Sequence, residues 1–291
     1  MLKQVIIIAR HGPRSPIAVY EKLNDGHIWN DLKTNTNEHA PLTHAGVEHC
    51  KKFGNRLKDE YKDNLNLKPH ESVFMSTNTD RTKNSAILVG NEIFRNGMKL
   101  EHLECSESMN TVMRCKPEGR KYMEYIRILH TLSVKDVEYY DEAKSIISTH
   151  LRQMKSDKDF FDILSTLECY KFENIDLPSE LTDEMKNVII NCGTLYWKRL
   201  YGKVAFIGKD AHNYIVNLLK TRNEKFIYIS SHDSVVFPLS QYHNESHTKI
   251  PEFCSYVKYE VFENENNIDG EENQERVVVH YDDVEINSFL I

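Results

Sequence analysis

The chain has 291 residues, 40% of them apolar, and a formal net charge of −7 at pH 7. That length suits a single large α/β domain carrying an insertion, and the negative balance excludes the global basic field of a nucleic-acid binder. No run approaches the roughly 18 apolar residues of a membrane-spanning helix. The six cysteines lack the Cys-x-x-Cys pairing of a zinc ribbon, so free, mostly buried thiols are expected. Met1 to Ile8 is too short for the apolar region of a signal peptide. A chain that starts natively at Met1 is expected in the cytosol; a secreted location would require a leader already removed.

Val5-Ile6-Ile7-Ile8-Ala9 is a continuous apolar run, the pattern of a strand buried on both faces of a parallel sheet. A helix is predicted from Thr43 to Tyr61, with Thr43 as its N-cap. Ser72-Val73-Phe74-Met75 reads as a second strand, followed by a helix over Thr82 to Phe94 that Gly97 closes. Residues 100–200 carry helical patterns with little strand signal. A helix from Ala205 to Leu219 then feeds a third strand, Phe226-Ile227-Tyr228-Ile229. Ser255 to Phe262 and Arg276 to Tyr281 alternate like strands, and the acidic, Asn-rich stretch Glu263 to Glu275 between them reads as a hairpin loop. The expected fold is α/β: a mostly parallel central sheet flanked by helices, formed by residues 1–98 and 200–291, with a mainly helical cap inserted over 99–199.

Three predicted strands run into polar loops. The first enters Arg10-His11-Gly12-Pro13-Arg14, the second Ser76-Thr77-Asn78-Thr79-Asp80-Arg81, and the third Ser230-Ser231-His232-Asp233. Ligands of open α/β sheets bind beyond the carboxyl ends of the strands, so the three loops are expected to converge. They would supply the local positive focus that an acidic chain needs for an anionic ligand. Arginine forks match phosphate oxygens bidentately, and Gly12 lets backbone approach closely. A neutral imidazole among cations is a competent nucleophile toward phosphorus, and a carboxyl such as Asp233 can protonate a leaving alkoxide.

Arg10-His11-Gly12-Pro13-Arg14-Ser15-Pro16 resembles the RHGxRxP signature of the histidine acid phosphatases, and His232-Asp233 resembles the HD pair of that branch of the histidine phosphatase superfamily. Leu42-Thr43-His44-Ala45-Gly46, Ser76 to Thr82 and Pro251-Glu252-Phe253-Cys254-Ser255 resemble further family segments in the same order. The resemblance implies that His11 is the phosphorylated nucleophile and Asp233 the proton donor. It also implies that Arg10, Arg14, Arg81 and His232 bind the phosphate, with no metal or other cofactor. The sequence departs from the family at Met75, where the loop begins with arginine, and at Asn78, where it has aspartate. The reading is a phosphomonoester hydrolase whose partner is a small phosphomonoester, with no nucleic acid and no membrane span; a homodimer would be unsurprising. The alternatives are a phosphoglycerate-mutase-like phosphotransferase, against which the late His-Asp pair argues, and a phosphate-binding scaffold, against which the complete set of chemical residues argues.

Overall fold

The computed structural model describes residues 1–17, 29, 31–32, 34, 39–95, 97–113, 121, 123–125, 127–128, 135–151, 159–177, 179–263 and 275–291. These fall into two compact units. The first comprises Met1–Gly12, Val47–Gly119 and Ala205–Ile291; the second comprises Pro13–Gly46 and Arg120–Val204.

The first unit is built on a seven-stranded sheet. Its strands are β1 (Leu2–Arg10), β2 (Ser72–Ser76), β3 (Leu103–Glu104), β4 (Phe226–Ser231), β5 (Tyr256–Phe262), β6 (Arg276–Tyr281) and β7 (Val284–Leu290), in the order β3-β2-β4-β1-β5-β6-β7. The expected strands are all present. The apolar run at Val5–Ala9 is fully buried in β1, and each such Val or Ile contributes about 1.5–3 kcal/mol by leaving water. One expectation needs correcting: the sheet is mixed rather than mostly parallel. Among the described residues β1–β4, β2–β4 and β2–β3 pair parallel, while β1–β5, β5–β6 and β6–β7 pair antiparallel. The parallel pairs are joined by helices, while β5, β6 and β7 form a meander of consecutive strands, which needs no crossover. The hairpin loop expected at Glu263 to Glu275 lies mostly outside the described residues.

Helices α1 (His44–Leu65), α2 (Asp80–Phe94) and α3 (Glu107–Met113) follow β1, β2 and β3 in the chain; α7 (Phe206–Thr221) and α8 (Asp233–His243) flank β4. Helix α2 ends differently from expectation. Arg95, not Gly97, adopts the left-handed conformation after it, with φ 50°, and its N–H bonds back to the Asn91 carbonyl. Helix α7 packs on α8 at Gly208, where a Cβ would lie 2.0 Å from the Pro238 carbonyl oxygen.

The second unit contains α4 (Tyr140–His150), α5 (Asp159–Glu173) and α6 (Asp183–Lys203). Gly193 of α6 sits against the Leu164 side chain of α5. The start of α1 is also counted here. Thr43 caps it as expected, its Oγ1 accepting the Gly46 N–H at 3.0 Å. Gly46 must be glycine because a Cβ would stand 2.1 Å from the Pro13 carbonyl oxygen. Of the cysteines, Cys50, Cys169, Cys192 and Cys254 are buried free thiols and Cys105 is an exposed one; Cys115 lies outside the described residues.

Candidate active site

Strands β2, β4 and β1 are adjacent and parallel, with Ser76 opposite Ser230 and Arg10 opposite Ser231. Their carboxyl ends therefore release three loops side by side in the first unit. This juxtaposition brings Arg10, His11, Arg81, His232 and Asp233 together.

Arg10 is the last residue of β1 and is 2% exposed. A guanidinium that deep needs compensation. Its Nη2 lies 3.0 Å from Asp233 Oδ2, its Nη1 donates to the Pro251 carbonyl at 2.7 Å, and its plane lies 4.2 Å from the centre of the Phe253 ring. Asp233 opens α8. Its Oδ1 accepts the Ser234 N–H at 2.7 Å, and its side chain retains 26% exposure, so it is reachable from solvent.

His11 is 3% exposed and held at both ends of its backbone, by its own N–H to the Ser231 carbonyl and by its carbonyl to the Cys254 N–H. Its two ring nitrogens have different partners. Nδ1 lies 2.8 Å from the Gly12 carbonyl, which can only accept, so Nδ1 carries the proton. Nε2 then carries the lone pair and accepts from Arg81 Nε at 3.2 Å. The two contacts thus set the ring with its proton toward the Gly12 carbonyl and its lone pair toward Arg81.

His232 is the N-cap residue of α8, and its ring meets that of His11 edge-on at 5.5 Å. Its Nε2 lies 3.0 Å from Thr77 Oγ1. Thr77 passes its own hydroxyl proton to Thr82 Oγ1, and Thr82 donates to backbone carbonyls of Thr77 and Thr79, so the His232 Nε2 is the donor. The β2 loop is pinned further by Asn110 of α3, whose Oδ1 accepts the Asn78 N–H at 2.9 Å.

Arg14 belongs to the second unit. It is 4% exposed, its Nη2 donates to Ser165 Oγ at 2.7 Å, and its Nη1 donates to the Ser15 carbonyl at 2.9 Å. Among the described residues no carboxylate pairs with it, so it is a buried cation satisfied only by neutral groups. No group of three or more His, Cys, Asp or Glu among the described residues is placed to hold a metal ion. No helix of the described residues is long and apolar enough to cross a membrane.

Sequence reasoning passed over Thr77, Ser85, Asn110 and Phe253. Phe253 lies in the Pro251–Ser255 segment that resembles the family, yet nothing local marks it as the platform under Arg10. Ser85 follows Arg81 by four residues, one helical turn, and that spacing was the available signal.

Residues 1–130 match the model of the histidine phosphatase superfamily (branch 2). No curated protein matches the sequence at a significant level. Solved structures agree on the fold. A Klebsiella phytase superposes with a TM-score of 0.64 at 14% identity, over 96% of this chain and 83% of that one. A Citrobacter braakii phytase gives 0.65 at 12% identity, over 96% and 85%. The Bifidobacterium longum multiple inositol polyphosphate phosphatase, in complex with inositol hexasulfate, gives 0.64 at 9% identity, over 99% and 88%. The chain is thus similar to the histidine phosphatase superfamily (branch 2) over residues 1–130, and its fold is that of the phytases.

Proposed function

We propose that the chain is a phosphomonoester hydrolase that works through a phosphohistidine at His11, with Asp233 as proton donor. The observation that carries this reading is the polarity of His11: Nδ1–H is given to the Gly12 carbonyl and the Nε2 lone pair faces Arg81.

The resting contacts make chemical sense as placeholders for a phosphate. Arg81 donates to the nucleophile and Arg10 neutralises the acid. A phosphate dianion recruits both guanidinium groups more strongly than an imidazole or a single carboxylate does. Its arrival would release Nε2 for attack and leave the Asp233 carboxyl beside negative charge, where the protonated form is favoured. Nε2 then bonds to phosphorus as the ester P–O bond breaks, and the Asp233 proton passes to the departing oxygen. In the second step water attacks phosphorus, its proton returns to Asp233, and the N–P bond breaks to restore the lone pair. The arginines and His232 stabilise the charge that spreads over the equatorial oxygens.

The solved neighbours are phytases and an inositol polyphosphate phosphatase, which makes inositol phosphates the first substrates to try. The test is release of phosphate from p-nitrophenyl phosphate and from inositol hexakisphosphate near pH 5. Turnover that disappears in His11→Ala is expected; turnover equal in the wild type and in His11→Ala would overturn the assignment.

A further inference from the structure

Ser85 lies in the second turn of α2, is 1% exposed, and has no part in the chemistry above. Its hydroxyl makes two bonds. It donates to the Arg81 carbonyl at 2.7 Å and accepts the Gly12 N–H at 2.9 Å. The first is ordinary, because a buried helical serine commonly satisfies itself on the carbonyl four residues back. The second is long-range and reaches the loop of the nucleophile.

The two residues that Ser85 ties together are the ones that hold the two nitrogens of His11. The Gly12 carbonyl receives Nδ1–H, and Arg81 Nε donates to Nε2. One hydroxyl therefore closes a ring of contacts: Ser85 to Gly12, Gly12 to Nδ1, Nε2 to Arg81, and Arg81 back to Ser85. Both bonds to the imidazole favour the same tautomer, with the proton on Nδ1. An unconstrained imidazole prefers the opposite one, with the proton on Nε2, in which the reactive lone pair is lost. The buried thiol of Cys50 adjoins this floor; its pKa is lowered first by Cys254, against burial, and then by Ser85 and the Gly12 backbone. Sulfur is a weak acceptor and does not replace an oxygen there.

We propose that Ser85 is a positioning residue that fixes the tautomer and aim of His11 by tying Gly12 to Arg81. The proposal rests on the phosphohistidine reading for its consequence in catalysis, though not for its consequence in the resting protein.

The experiment compares wild type, Ser85→Ala and Ser85→Thr by 15N NMR of histidine-labelled protein, with His11→Gln to assign the signal, alongside kcat and KM. In the wild type the His11 signal should be that of the Nδ1–H form. Ser85→Ala should shift it toward the Nε2–H form and lower kcat roughly tenfold, the effect of losing one net hydrogen bond, with KM little changed. Ser85→Thr, which retains the hydroxyl, should restore both. A purely structural serine would change the melting temperature without moving the tautomer. An unchanged tautomer and kcat in Ser85→Ala would therefore overturn the proposal. Hydrogen exchange in the wild type gives a check free of any variant: the Gly12 amide must be protected, and exchange at the rate of a free amide would also overturn it. If the wild type turns over no phosphomonoester while Ser85→Ala still displaces the tautomer, the phosphatase reading fails and the positioning role stands.

Discussion

Arg10 is a cation at the buried end of a strand, and Asp233 is the anion that makes its burial tolerable. That pairing bears on how Asp233 must be tested. Asn retains an oxygen to accept from Arg10 but has no acidic proton to deliver. Asp233→Asn should therefore slow hydrolysis of alkyl phosphates by about 10²–10⁴-fold, the usual worth of general acid catalysis. It should slow p-nitrophenyl phosphate far less, because that leaving group departs without a proton. Equal losses on both substrates, measured as kcat/KM, would remove Asp233 from the acid role. At this scale the chemistry-bearing types were legible, since Arg10, His11 and Arg14 crowd one heptapeptide and His232-Asp233 ends a strand. Ser85, Thr77 and Phe253 were not. A serine, a threonine and a phenylalanine acquire their roles from what tertiary packing sets opposite them, and no local pattern records that.

Strands β1, β2 and β4 were legible because both of their faces are buried, which writes an unbroken apolar run into each. The same argument explains what was missed. Strand β3 is two residues long, and β7 is a partly exposed edge whose Val284 and Leu290 remain open to solvent. Neither carries a periodic signal, and the share of antiparallel pairing rose with β7. Packing between helices left its mark in small residues. The Gly208 contact with the Pro238 carbonyl admits no methyl group, so Gly208→Ala must push α7 away from α8. A loss of about 1–3 kcal/mol is expected, the usual cost of overpacking. Urea unfolding would measure it; an unchanged midpoint would contradict the close approach.

Residues 13–46 cluster with 120–204 rather than with the strand they follow, and such a division depends on contacts between distant segments that a reading along the chain does not register. Stability against pH is a property of the whole fold with an identifiable source. His243 accepts from Asn287 Nδ2 at 3.0 Å and gives its other nitrogen to Tyr259 Oη at 2.6 Å, beside His212. Burial first, and then the neighbouring His212, lower its pKa from 6.5 to about 3. The folded form thus binds fewer protons than the unfolded form below about pH 6.5. This contribution is complete above that pH and is lost progressively as the pH falls toward 3. The melting temperature should decline across that window, and His243→Phe should flatten the decline; an identical acid limb in the variant would count against this source.

The most direct test of the central claim is capture of the covalent intermediate. Protein mixed with a 32P-labelled phosphomonoester and quenched in alkali should carry label on a peptide containing His11, attached through Nε2 and released by acid. The label should be absent in His11→Ala and should accumulate in a variant with slowed hydrolysis of the intermediate. Acid-stable label on a serine, or label that persists in His11→Ala, would contradict the account.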